Sequence, residues 1–356
     1  MTALADLLKA QITATGPMRL DAYMAACLMH PDHGYYTTRD PFGTSGDFTT
    51  APEISQMFGE LVGLSLMQAW MDQGAPSGIA LVELGPGRGT LMADILRVSK
   101  AVPGFQDALS GVHLVETSPG LRARQATTVA HDDMTWHDTV ETLPDAPLFV
   151  VANEFFDALP VRQFQRATAG WAERLVGLVE GQLSLGLGAP QTQDMLAHRW
   201  DDTQEGDVVE CAPGAVGVVE TLGRKIAAHG GAGLVIDYGD WRSLGDTVQA
   251  VASHRHTDIF ATPGEADLST HVDFEALARA VPEGCAHSRL TPQGVFLDRL
   301  GITGRAETLE RNMTEPQRTT HGAAHRRLTH RDEMGTLFKV MGLYPKVATP
   351  PPGLEP

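Results

Sequence analysis

Cysteine is scarce: the 356 residues hold three, Cys27, Cys211 and Cys285, far apart and without C-x-x-C spacing. That argues against a disulfide framework or a thiolate zinc site and fits a reducing compartment. Basic residues are also short, with 27 Lys and Arg against 44 Asp and Glu and a formal charge of −17. Nucleic acid is not an expected partner, because neutralising phosphates takes clustered Lys and Arg. An acidic surface serves solubility and would also attract a basic peptide or protein segment. No run approaches 18 apolar residues, and Met1-Thr-Ala-Leu-Ala-Asp-Leu-Leu-Lys-Ala10 has neither a signal-peptide core nor an Arg-rich transit character. The expectation is a soluble, cytoplasmic protein without membrane insertion. No G-x-S-x-G elbow occurs, so covalent hydrolysis has no support. Fourteen histidines include the pairs His254/His256 and His321/His325, but neither pair belongs to a known zinc pattern, and no metal is expected.

What is present is a globular composition, 42% hydrophobic and 20% charged, in a chain long enough for a sizeable core. Its organising stretch is Leu81-Val-Glu-Leu-Gly-Pro-Gly-Arg-Gly-Thr90, led in by Ile79-Ala80 and followed by the helical pattern Leu91-Met-Ala-Asp-Ile-Leu-Arg97. Strand, tight turn and helix in that order begin a nucleotide-binding α/β fold. The dinucleotide fingerprint sets its third glycine three positions after the second. Here Gly85, Gly87 and Gly89 are evenly spaced, which suits S-adenosylmethionine better, since glycine lets backbone approach the ligand where a Cβ would intrude. Glu83 would meet the ligand's ammonium group or brace the turn. The next apolar run ends in Glu116, whose carboxylate at a second strand tip would accept the ribose hydroxyls. A third strand near Met134-Thr-Trp-His137 puts His137 and Asp138 beside the expected adenine position. A fourth buried strand, Pro147-Leu-Phe-Val-Val-Ala-Asn-Glu-Phe-Phe-Asp-Ala-Leu-Pro-Val161, delivers Asn153, Glu154 and Asp157 at its C-terminal end. Two acids and an amide there are costly unless they are used.

The rest of the chain is arranged around this unit. Residues 1–78 give two short helices, then a polar, glycine-rich, aromatic lid segment that ends at a helix capped by Thr50 and traced by Ile54, Met57, Phe58, Leu61, Ser65 and Gln68. Residues 79–160 form the cofactor-binding half of the α/β domain. From Val161 the period changes to two, so 161–212 reads as an antiparallel β insertion. Residues 213–356 complete the α/β domain with helical additions: a polar stretch from Gly245 to His271, a charged helical segment near 303–331, a last strand around Leu337 to Met341, and a frayed end at Pro350-Pro-Pro352. The sequence leaves a homodimer open.

Several segments together resemble one family. They are Gly46-Asp-Phe-Thr-Thr-Ala-Pro-Glu-Ile-Ser-Gln-Met-Phe-Gly-Glu60, Glu83-Leu-Gly-Pro-Gly-Arg-Gly-Thr90, Val115-Glu-Thr-Ser-Pro119, Asn153-Glu-Phe-Phe-Asp-Ala-Leu-Pro160 and Ile236-Asp-Tyr-Gly239. This set is similar to the MidA-type proteins, which include the mitochondrial complex I assembly methyltransferases and their bacterial relatives. The resemblance implies a class I, Rossmann-like, seven-stranded methyltransferase with an N-terminal helical and lid extension and a β-meander insertion. It also implies S-adenosylmethionine as cofactor and an arginine of a respiratory complex I subunit as acceptor. Without a transit sequence, a bacterial cytoplasm is the natural setting. On this reading Glu154 positions the acceptor, Glu53 or Asp157 completes a carboxylate clamp, Asn153 and Asp47 border cofactor and acceptor, and Thr49 lies with the cofactor. A small-molecule methyltransferase and a cofactor-binding assembly factor without turnover are the two alternatives.

Overall fold

The computed structural model describes residues 2–38, 49–252 and 255–356. Six consecutive apolar or buried residues, Ile79–Leu84, form a strand hidden along its whole length, as expected at the centre of a sheet covered on both faces. It pairs in parallel with Leu109–Val115 on one side and Leu148–Asn153 on the other. The path continues outward to Met134–His137 at one edge, and through Gly231–Asp240 and the antiparallel Phe338–Pro345 to Cys285–His287 at the other. Seven strands thus make the main path of an α/β sheet, whose chain order reverses at Ile79–Leu84. In such sheets ligands bind beyond the C-terminal strand ends at the reversal.

The alternation of side chains along these strands builds a core on each face. Leu81, Phe149, Val151, Leu234 and Ile236 pack under the helices Gln56–Asp72 and Thr90–Ser99. Ala80, Val82, Val150 and Val235 pack under Pro213–His229. Full burial of a side chain such as Phe58 or Phe149 is worth about 1.5–3 kcal/mol each. The insertion is an antiparallel meander of Arg162–Ala167, Gly170–Val179 and Gln182–Leu187, joined by Val208–Cys211 and by Met18–Arg19 from the N-terminal segment.

Four expectations are corrected. The helix expected from Thr50 is two helices, Ala51–Ile54 and Gln56–Asp72, because Ser55 is extended and its hydroxyl accepts the Met57 N–H at 3.2 Å. Gln68 is not on the buried face but exposed and bonded to Asp72. The polar stretch 245–271 contains strands Gln249–Ala252, Arg255–Thr257 and Asp267–Ser269, paired as a small antiparallel sheet. The C-terminus is not frayed: Leu354 is in the core, the Ser65 hydroxyl donates to Pro352 O, and Arg299 pairs with Glu355. A chain end with two polar ties and a buried Leu has lost the freedom that fraying needs.

Candidate functional site

A cavity of about 890 Å³ opens at the C-terminal ends of the central strands. Its wall includes Gly85 and Gly87 of the first turn, Glu116 at the second strand tip, Asp138 after the third, and Glu154, Phe155 and Asp157 after the fourth. The side away from the glycine turn is closed by Tyr36, Tyr238, Gln249, Asp267, Ser269 and His271.

Gly85, Gly87 and Gly89 all have positive φ, at 60°, 52° and 84°. Only glycine takes this backbone without strain. Space adds separate reasons: a Cβ on Gly85 would come within 2.9 Å of Phe155, and one on Gly89 within 2.8 Å of Val129. Gly89 therefore serves helix packing, and Gly85 and Gly87 line the cavity. Because Gly89 has no side chain to cap Thr90–Ser99, Glu83 supplies an acceptor from the preceding strand, taking the Met92 N–H. Glu83 is buried beneath the turn, where burial pushes its carboxyl up to about 8. It braces the turn and does not line the cavity.

Glu116 is on the wall and pre-set by neighbours: Oε1 accepts the Ser118 N–H at 2.8 Å and Oε2 accepts Gln125 Nε2 at 3.2 Å. Burial raises its pKa while those donors lower it. Gln125 is fully buried, also donates to Gly87 O at 2.8 Å and accepts from the Trp136 indole. One amide thus ties together the glycine turn, the second strand tip and the third strand. Sequence reasoning missed it, because a lone polar residue in a helix reads as exposed.

The sequence-derived residues do not all converge. Asp138 reaches the wall and pairs with Arg122. His137 does not: its ring nitrogens lie 3.0 Å from His113 Nδ1 and 2.8 Å from Thr142 Oγ1. Glu53 is likewise off the wall and accepts from Thr90 Oγ1 at 2.6 Å, which ties the Ala51–Ile54 helix to the helix after the glycine turn. Asn153 is buried and donates to Glu154 Oε1 at 3.1 Å, so it supports that acid without facing the cavity. The Thr49 carbonyl accepts from Arg327 at 3.4 Å, and Thr50 lines the cavity in its stead. Asp47 lies outside the described residues.

On the far side, burial pushes Glu154 up to about 7 and Asp157 up to about 6. Neither forms an ion pair among the described residues. Asp237, fully buried, accepts the N–H groups of Phe155, Phe156 and Asp157 on Oδ2 at 3.2, 2.9 and 3.2 Å, and that of Tyr238 on Oδ1 at 2.9 Å. It fixes the turn that carries both acids. The rings of His321 and His325 are engaged with Ala306 O and Thr303 Oγ1.

A family model described as "Putative S-adenosyl-L-methionine-dependent methyltransferase" matches residues 61–293. The chain belongs to this methyltransferase family. It is 35% identical to the mitochondrial protein arginine methyltransferase NDUFAF7 of Xenopus laevis, over 96% of this chain and 84% of that protein. The human protein of the same name is 35% identical over 94% of this chain and 82% of its own length. A crystal structure from Burkholderia thailandensis, of a superfamily member described as a "likely methyl transferase" and bound to S-adenosylhomocysteine, superposes with a TM-score of 0.83 at 31% identity, covering 96% and 92% of the two chains. The native structure of a protein of that superfamily from the same organism gives 0.80 at 31%.

The methyltransferase is thus an enzyme whose donor is S-adenosylmethionine, and its residues fit that group. Left-handed Gly85 and Gly87 present bare backbone to the cavity, and Glu116 stands at the strand tip already oriented. No helix among the described residues is long and apolar enough to cross a membrane.

Proposed function

We propose that this methyltransferase acts on arginine in a protein, with a subunit of respiratory complex I as the substrate during assembly, and works in the bacterial cytoplasm. The observation that carries the reading is the pair Glu154 and Asp157: two carboxyls on one cavity wall with no cation paired to either among the described residues. Such a wall favours a cationic acceptor, because a buried acid without an ion-pair partner is stabilised by an incoming opposite charge, and Arg327 offsets the Glu154 charge only from beyond ion-pair distance. The relatives' name, protein arginine methyltransferase, supports the same acceptor. Three free cysteines and an acidic surface suit a reducing compartment and a basic substrate segment.

S-adenosylmethionine supplies a methyl group already activated on a sulfonium. Gly85, Gly87, Glu116 and Asp138 would hold it along the glycine-turn side. The task left to the other wall is to fix a guanidinium so that one nitrogen faces the methyl, since in-line transfer depends mostly on near-attack placement. Glu154, anchored by Asn153 and by the Ala51 N–H, grips the guanidinium through charge-assisted hydrogen bonds. Glu53, bonded to Thr90, steadies this arrangement from outside. Labelled S-adenosylmethionine and a lysate lacking the protein test the reading. Label in a complex I subunit, recovered as methylarginine after hydrolysis, supports it. Label in small molecules alone overturns it.

A further inference from the structure

Asp157 is held at several points yet keeps one oxygen unspent. Its backbone N–H donates to Asp237 Oδ2 at 3.2 Å, and its carbonyl accepts the Thr270 N–H at 2.9 Å and the Thr270 hydroxyl at 3.3 Å. Its carboxyl accepts the Tyr238 hydroxyl. Tyr238 is supported in turn: Ser269 donates to it, Gln249 Nε2 lies 3.5 Å from its oxygen and 3.4 Å from Ser269 Oγ, and its ring meets His271 and Phe338 edge-on at 5.5 Å. All of these except Asp237 and Thr270 line the cavity, and Asp157 Oδ1, buried there, has no hydrogen-bond partner among the described residues.

A buried carboxylate oxygen with every neighbouring group fixed around it and nothing bonded to it is costly without a function. The geometry points to the Asp157 carboxylate on the cavity wall as the proton acceptor in methyl transfer, with Tyr238 as the positioning residue that orients it toward the acceptor. This rests on the reading of a guanidinium as acceptor. The step balances: the N–C bond forms, the S–C bond breaks with its electron pair left on sulfur, and the proton of the reacting nitrogen passes to Asp157. The product guanidinium stays cationic, so the wall of acids still faces a positive charge.

The groups facing Asp157 are Glu154 from its own turn, Asp237 and Tyr238 from the Gly231–Asp240 strand, and Tyr36 from the N-terminal segment. Of these, Tyr238 alone is altered in Tyr238→Phe, which keeps the ring contacts. A hydrogen bond to the charged form lowers an acid's pKa. Removing the hydroxyl therefore shifts the acid limb of the kcat profile about one pH unit upward, which lowers kcat about tenfold on that limb and about twofold at neutral pH. Acceptor KM and affinity for S-adenosylhomocysteine stay at wild-type values. Asp157→Asn, with donor affinity retained by calorimetry, loses at least about a hundredfold in kcat. A Tyr238→Phe profile that superposes on wild type, or an Asp157→Asn enzyme that still turns over at the wild-type rate, overturns the proposal. Hydrolysis of the wild-type product separates the two readings: label absent from arginine removes the guanidinium acceptor and this proton route with it. Methylarginine together with an unshifted profile removes only the route.

Discussion

The backbone N–H of Ala51 donates to Oε1 of Glu154 across 2.9 Å, so the acid after the fourth strand also holds the first turn of the Ala51–Ile54 helix. Glu154 sits at φ 51°, a left-handed backbone that costs a non-glycine residue about 1–2 kcal/mol. Strain of this kind persists where surrounding bonds fix it and is concentrated at functional sites. Here Asp237 fixes the turn behind it, and Asn153 and Ala51 hold one oxygen.

Glu154→Gln keeps an acceptor oxygen for Ala51 and removes the charge. Methyl incorporation is expected to fall ~100-fold or more, with donor affinity and melting temperature close to wild type. Turnover at the wild-type rate would take Glu154 out of the chemistry.

Two glycines two residues apart should fail differently. In Gly87→Val the branched side chain takes donor space and strains a backbone at φ 52°, so binding of S-adenosylhomocysteine should vanish from calorimetry. In Gly89→Ala the new Cβ meets Val129 instead, so the melting temperature should drop while the folded fraction still binds. Normal binding by the Gly87 variant would mean that the donor lies elsewhere.

Glu116→Gln replaces an acceptor with an amide N–H2 that must face either the Ser118 N–H or the Gln125 amide. Donor affinity should fall about tenfold, the cost of a lost charge-assisted bond, with the fold intact. An unchanged dissociation constant for S-adenosylhomocysteine would leave Glu116 a purely structural group.

The glycine-turn side of the cavity was legible in the sequence because its signals are local. A buried run stops at spaced glycines, and Glu116 and Glu154 each follow an apolar strand, so Leu109–Val115 and Leu148–Asn153 announce them. The opposite wall was not legible. Tyr238 reaches Asp157, and Gln249 and Ser269 reach Tyr238, only through long-range pairing, and Gln249–Ala252 and Asp267–Ser269 are too short to stand out from a polar loop. Asp237 was visible inside Ile236-Asp-Tyr-Gly239, but its four backbone donors come from its own strand and from a turn some 80 residues earlier. Glu53 differed in the opposite sense: the pattern placed an acid near the site, and a hydroxyl on the helix after the glycine turn claimed it.

The buried Glu83 should make stability depend on pH in a direction that is unusual for a carboxylate. Its folded pKa, about 8, lies above the ordinary value of 4.5, so the folded state binds a proton that the unfolded state releases. The associated stability is fully present below pH 4.5 and is lost as pH rises toward 8, at about 1.4 kcal/mol per pH unit for one group held protonated. Glu83→Gln cannot ionise, so it escapes that loss, although the amide must still accept the Met92 N–H to cap the helix. Denaturant unfolding of both proteins from pH 5 to 8 isolates the effect, since other titrating groups are common to the pair. The variant's stability relative to wild type should climb steadily across this range. A constant difference would show that Glu83 is ionised in the folded enzyme, held so by the Met92 N–H and the N-terminal dipole of the helix that it caps.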